Sequence, residues 1–336
     1  MQPTPPLLSI EDLHVQFTIE RSTIHAVNGV SYTLAAGESL GIVGESGSGK
    51  SVSALAVMGL IKCPPGKIAG GRILYKGRDL LTLPPDEMRQ MRAREIAMVF
   101  QDPMTSLNPV ITVGLQLREV MVSQLGMSKP EAEARAAELL ELVGIANAKE
   151  RLKDYPFQFS GGQRQRILIA IALACNPSLL IADEPTTALD VTIQAQVVEL
   201  VRDLQQQLGT AIIWISHNLG LVAGMVSRVI VMYGGTIVEE APVDELYERP
   251  LHPYTLGLLE SVPSVDRAQE RLASIEGLPP DLRQAPVGCP FAARCPYVID
   301  RCRAEQPPLV TVQSGHQSAC WRWQEIASLS RFGEAL

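Results

Sequence analysis

No stretch of this chain is apolar for long enough to cross a bilayer. The longest such run, ILIAIALAC (Ile167–Cys175), is about half of what a membrane helix needs, and it ends at Asn176-Pro177. A secretory leader is missing too, because MQPTPPLLSIEDLHVQF has neither a basic head nor a long apolar centre. The expectation is a chain that does not cross a membrane by itself and works in a reducing compartment. A basic excess is also absent. The net charge is −7, whereas domains that bind nucleic acid non-specifically carry surplus Lys and Arg, so nucleic acid is not an expected partner. Repeats and low-complexity segments are lacking, and 46% apolar against 19% charged residues is a globular balance. Cysteine is scarce along most of the 336 residues, yet four of the six cysteines lie between positions 289 and 320.

What is present is an α/β pattern: short apolar runs rich in β-branched residues, alternating with helical periodicity. LSIEDLHVQF and HAVNGVSYTL read as strands of an N-terminal antiparallel portion. SLGIVG (Ser39–Gly44) reads as a buried strand entering a glycine-rich loop, and EIAMVF, LLIADE, TAIIWIS and RVIVMYGG as four further strands. A helical insert lies at about Asn108–Phe159, within a subdomain of about 103–165. Its clearest helix starts at the capping box Ser128-Lys129-Pro130-Glu131, carries the stripe Ala136, Leu139, Leu140, Val143 and closes at Gly144. Boundaries fall near Val262 and Gln284. They give one large domain over 1–262, a proline-rich connector over 263–284 and a cysteine region over 285–336.

GESGSGKS (Gly44–Ser51) satisfies G-x-x-x-x-G-K-[ST], directly after an apolar strand and before the helical SVSALAVMGL. Gly44, Ser46, Gly47 and Gly49 let successive backbone N–H groups turn onto phosphate. Lys50 reaches the β/γ oxygens, and the Ser51 hydroxyl is placed for Mg²⁺. In LLIADEP two carboxylates emerge at the C-terminal end of a buried strand, where open α/β sheets bind ligands. Asp183 is the candidate to hold Mg²⁺ and Glu184 the candidate general base. FSGGQRQR puts Ser160, Gly161, Gly162 and Gln163 at a helix start, a second anion-binding terminus, and IIWISHN ends a strand at His217.

In this order the series resembles the nucleotide-binding subunit of ABC transporters over about 240 residues. It runs phosphate loop, glutamine loop (VFQDP, Gln101), signature (FSGGQ), Walker B (LLIADE), D-loop (TALD, Asp190) and switch histidine (His217). The resemblance implies a RecA-like P-loop ATPase core with an antiparallel β portion and a helical subdomain, plus a C-terminal cysteine-rich extension. It adds Gln101 as a Mg²⁺ and catalytic contact, His217 as a γ-phosphate contact, and Phe17 as the aromatic that stacks on adenine. It also implies two ATPase subunits docked head to tail, each ATP lying between one phosphate loop and the other's signature. Phe159 stands where leucine is usual.

VFQDPMTSLNP and ERPLHPYTLGLLESVP further resemble the ATPases of dipeptide and oligopeptide importers, a group that includes nickel importers. This implies an ATP-driven translocase subunit at the cytoplasmic face of the cell (inner) membrane. Its partners would be two permease subunits, a related second ATPase and, indirectly, a solute-binding protein. Some of Met104, Leu107, Val110, Leu115 and Leu117 would face the permeases and the rest would pack inside the insert. An importer of nickel or another small solute, and a soluble non-transport ABC ATPase, are the alternatives; a single cassette and an acidic balance argue against the latter.

The clustered cysteines are spaced C-x5-C-x6-C-x17-C (Cys289, Cys295, Cys302, Cys320). Four thiolates suit Zn²⁺ or an iron–sulfur cluster. Zinc knuckles bring ligands closer in sequence than this, and the wider gaps suit a cubane better. The importer resemblance implies a 4Fe–4S cluster, with Zn²⁺ or unligated thiols as alternatives. His316 is a weaker candidate ligand, and Cys63 and Cys175 read as core or loop thiols.

Overall fold

Alternating apolar residues in the first 34 positions form two long paired strands, and the apolar runs further on form a mostly parallel set. These are seen in a computed structural model of the chain that describes residues 5–20, 22–101, 106–187, 189–262 and 275–329. Met104, Asp102-Pro103 of the glutamine loop, Ala188 of the D-loop motif and residues 263–274 of the connector lie outside the described residues. In chain order the elements begin β1 (Leu8–Ile19), β2 (Ser22–Leu34), β3 (Ser39–Val43), α1 (Lys50–Val57), β4 (Gly66–Tyr75), β5 (Arg78–Asp79), α2 (Pro85–Arg94) and β6 (Ile96–Val99). They continue with α3 (Val113–Leu125), α4 (Lys129–Leu142), α5 (Ala148–Arg151), α6 (Gly161–Leu173), β7 (Leu179–Asp183), α7 (Val191–Leu208), β8 (Ala211–Ser216), α8 (Leu219–Val222) and β9 (Arg228–Tyr233). The last are β10 (Thr236–Pro242), α9 (Val243–Glu248), α10 (Pro253–Glu260), α11 (Asp300–Ala304), β11 (Val310–Gln313), β12 (His316–Ser318) and α12 (Trp323–Leu329).

The chain divides into two compact units. The first gathers Met1–Leu34, Ser39–Leu81 and Ile215–Leu336. In it β1 is the hub of an antiparallel sheet of order β2-β1-β4-β5, and Leu8, Ile10, Leu13 and Val15 of β1 are buried. Val15 pairs with Val27 on one side and Ile10 with Ile73 on the other. A second set joins β3 to β9 in parallel (Gly41 opposite Val229), and β9 to β10 in antiparallel.

The cysteine region does not stand apart from this unit. β12 pairs antiparallel with β10 (Glu239 opposite Ser318), and β11 pairs with β12. Beneath this pairing His316 Nε2 lies 2.8 Å from Glu239 Oε1, with neither side chain exposed. The Glu239 carboxylate also accepts from the backbone of Leu251 (2.6 Å) and His252 (3.0 Å). Losing His316 would leave the Glu239 carboxylate with the backbone bonds to Leu251 and His252, at a cost of about 1–3 kcal/mol for the lost buried partner.

The second unit holds Ala35–Glu38 and Thr82–Trp214. In it β6 and β7 pair in parallel (Val99 opposite Ala182). The helical insert packs α3, α4 and α6 together, and α4 begins at the capping box read from the sequence. Ser128 N–H donates to Glu131 Oε2 (3.0 Å), Glu131 N–H donates to Ser128 Oγ (3.5 Å), and the stripe Ala136, Leu139, Leu140, Val143 is fully buried.

Candidate nucleotide site

In the first unit β3 delivers the chain into the phosphate loop. Gly49 takes φ 100, and a Cβ there would lie 2.5 Å from the Ala26 carbonyl oxygen, so no other residue fits. Lys50 opens α1 but folds back into the loop. Its Nζ donates to the carbonyls of Gly44 (2.7 Å) and Glu45 (2.9 Å), and the residue is buried. No side chain caps α1 at Gly49, and the first turn of this helix faces the phosphate loop, the place where such helix starts bind anions. Ser51 is half-buried in the first turn. His217 is exposed just past β8, and the next residue, Asn218, caps α8 by accepting from Leu221 N–H (3.3 Å). Phe17 sits half-buried near the end of β1, opposite Ile24 and Gly66.

The second unit holds the carboxylates and the signature. Asp183 ends β7 and is buried. Glu184 follows in a left-handed backbone conformation, φ 46, which is strained for any residue but glycine and recurs at functional sites. Its Oε2 accepts from Gln101 Nε2 (3.2 Å) and from Thr187 Oγ1 (2.9 Å). Gln101 and Glu184, far apart in sequence, are thus brought together. Thr187 was not among the residues singled out above, although a hydroxyl three residues past a carboxylate is the available signal.

Ser160 caps α6: Gln163 N–H donates to its hydroxyl (3.3 Å), while Ser160 N–H donates to Gln163 Oε1 (3.1 Å). Gly161 is exposed, and at Gly162 a Cβ would lie 2.6 Å from Ile193 Cγ2, so α7 approaches closely. Phe159, in the place of the usual leucine, is buried, with the Arg151 guanidinium 4.1 Å from its ring centre. Asp190 is exposed at the start of α7 and its side chain makes no cap. Of the expected permease-facing residues, Leu107 and Leu117 pack inside, whereas Val110 is 77% exposed and Leu115 37%.

Cys289, Cys295, Cys302 and Cys320 line one pocket of about 10 Å³, walled by Phe291, Tyr297 and Trp321. Burial pushes the Cys320 thiol up to about 12 and the Cys289 thiol up to about 11, each with a smaller contribution from neighbouring cysteines. Among the described residues no group of three or more His, Cys, Asp or Glu is arranged to hold a metal ion. The ligand set expected from the spacing is therefore gathered around one pocket but not formed as a metal site. His316, the alternative ligand, is engaged with Glu239 instead. Cys63 is exposed and Cys175 buried.

Comparison with known proteins agrees with this geometry. Residues 27–187 match the ABC transporter family model, and residues 238–302 match the oligopeptide/dipeptide transporter C-terminal region. The chain is 52% identical to a probable peptide ABC transporter ATP-binding protein of Sinorhizobium fredii, over 96% of this chain and 97% of that one. It is 49% identical to the oligopeptide transport ATP-binding protein AppD of Bacillus subtilis, over 95% of this chain and 97% of that one. Among solved structures, the dimeric post-hydrolysis ATP-binding cassette MJ0796 bound to ADP and Pi superposes with TM-score 0.63 at 27% identity. It covers 70% of this chain and 98% of its own.

Proposed function

Because the chain belongs to the ABC transporter ATP-binding proteins of the oligopeptide/dipeptide type, we propose that its ATP hydrolysis drives uptake of peptides through a membrane importer. The observation that carries this is Lys50, folded into a phosphate loop whose following helix has no side-chain cap.

In the proposed reaction Lys50 leaves the carbonyls of Gly44 and Glu45 for the β/γ-phosphate oxygens, and the amides from Ser46 to Ser51 close around them. Ser51, Asp183 and Gln101 would hold Mg²⁺, which when bound offsets the charge that builds on the transferred phosphoryl group. Glu184, held by Gln101 and Thr187, takes the proton of a water as its oxygen attacks the γ-phosphorus and the bond to ADP breaks. His217 contacts the γ-phosphate, and Phe17 stacks on adenine. Ser160 to Gln163 act on the ATP of a second, related ATPase subunit, with Asp190 at the same seam. ATP then binds the closed pair better than the open one, and that difference in affinity is the source of mechanical work.

No helix among the described residues is long and apolar enough to cross a membrane, so two permease subunits would supply the channel. Val110 and Leu115 are the exposed apolar side chains offered to them. The assembly would lie at the cytoplasmic face of the inner membrane, fed by a solute-binding protein. The test is purification from detergent-solubilised membranes. Two permeases and a second ATPase should accompany the chain, and peptide presented with its binding protein should stimulate hydrolysis. A permanently monomeric chain hydrolysing ATP at full rate would overturn the reading, and stimulation by nickel alone would reassign the solute.

The four cysteines of the C-terminal region are the proposed ligands of a 4Fe–4S cluster. The donor set supports it: four thiols line one pocket. A cluster there would cross-link the loop, α11 and the segment before α12. Iron and acid-labile sulfide in anaerobically purified protein are expected, and stoichiometric zinc without iron would replace the cluster by Zn²⁺.

A further inference from the structure

The second residue of the phosphate loop, Glu45, is engaged at three points. Its carbonyl accepts from Lys50 Nζ (2.9 Å) and Ser48 N–H (3.2 Å), inside the loop. Its two other contacts lead into the C-terminal third of the chain. Glu45 N–H donates to the hydroxyl of Tyr254, in α10 (2.8 Å). Its carboxylate accepts both Nη atoms of Arg294, Nη1 to Oε2 at 2.6 Å and Nη2 to Oε1 at 3.0 Å.

Arg294 lies between Cys289 and Cys295 in the cysteine loop, and its side chain is 5% exposed. All five donors of its guanidinium are used. Beyond the two bonds to Glu45, Nε donates to the Glu276 carbonyl (2.9 Å), Nη2 to the Ile275 carbonyl (2.8 Å) and Nη1 to the Tyr233 hydroxyl (3.2 Å). Tyr233, Tyr254 and Phe291 pack as a three-ring cluster beneath this site, with centroids 4.6 to 5.4 Å apart. The guanidinium is therefore fixed in position, and it fixes Glu45.

A carboxylate one residue from the phosphate cradle opposes the binding of a triphosphate unless a cation offsets it. A bidentate, buried arginine does this and also sets the loop's geometry. We propose that Arg294 is a positioning residue for the phosphate loop, neutralising and holding Glu45 so that the C-terminal extension sets the loop's affinity for ATP. The inference rests on the phosphate loop being the ATP site, and Lys50→Ala tests that separately by abolishing binding in every background.

The experiment measures equilibrium binding of ATP, and KM and kcat, for the full chain carrying Arg294→Gln, Glu45→Gln and both. Arg294→Gln should weaken ATP binding roughly tenfold, with KM rising and kcat at saturating ATP little changed. Glu45→Gln removes the repulsion together with the anchor, so it should weaken binding by less. In the double variant the loss caused by Arg294→Gln should largely disappear. Packing damage alone would give the same loss in both backgrounds, and that result would overturn the proposal, as would unchanged affinity in Arg294→Gln. Should Arg294→Gln fail to fold, Arg294→Lys keeps the charge but not the fork. It should lie between wild type and the Gln prediction, and wild-type affinity there would equally overturn the proposal.

Discussion

At the scale of single residues the catalytic proposal turns on Glu184. Its carboxylate accepts from Gln101 and Thr187, and its backbone is held at positive φ. Glu184→Gln keeps the shape and the φ but cannot take a proton, so turnover should fall at least about a hundredfold while ATP stays bound. Single-turnover kinetics with retained nucleotide check this. Thr187→Val removes a bond that aims the carboxylate. It should lower kcat roughly tenfold with ATP affinity unchanged, because the hydroxyl bonds the proposed base. Glu184 was legible in the sequence, since an apolar strand ending in two carboxylates is a local pattern. Thr187 and Arg294 were not: their roles come from where the chain brings them, and Arg294 meets Glu45 across 249 positions.

At the scale of elements, legibility followed locality. β3 before the phosphate loop, β7 with its terminal carboxylate and the capped helix α4 carry their own signals, whereas the glycine-broken β4 was not read. β12 carries none, because it is three residues long and exists through its pairing with β10. His252 caps α10 by accepting Tyr254 N–H at Nδ1 (3.1 Å), a local signal of a residue with a ring acceptor just before Pro253. Burial holds the His252 imidazole down to about 3, from an ordinary 6.5. Its folded-state value is depressed, so the unfolded chain binds a proton that the folded one refuses. The contribution to stability is complete above pH 6.5 and is lost progressively as pH falls toward 3. The melting temperature should decline across that window, and His252→Asn, which keeps a capping acceptor, should flatten the decline.

At the scale of the whole molecule, the proposed head-to-tail arrangement makes a demand that a single chain cannot meet. The signature helix offers Ser160 and uncovered backbone N–H groups at its start, and the capping box satisfies only part of that terminus. If this terminus closes on the γ-phosphate of a second ATPase subunit, association must depend on ATP and vanish with hydrolysis. Glu184→Gln protein mixed with its partner ATPase should therefore form a stable pair with ATP and separate with ADP, as read by sedimentation or light scattering. Adding Ser160→Ala should weaken that pair. The lost cap costs the helix only about 1 kcal/mol, so the melting temperature should move by a few degrees at most while the ATP-dependent association falls much further. Equal association in ATP and ADP, or full association without Ser160, would place the signature outside the nucleotide seam and leave this chain without the differential affinity that transport requires.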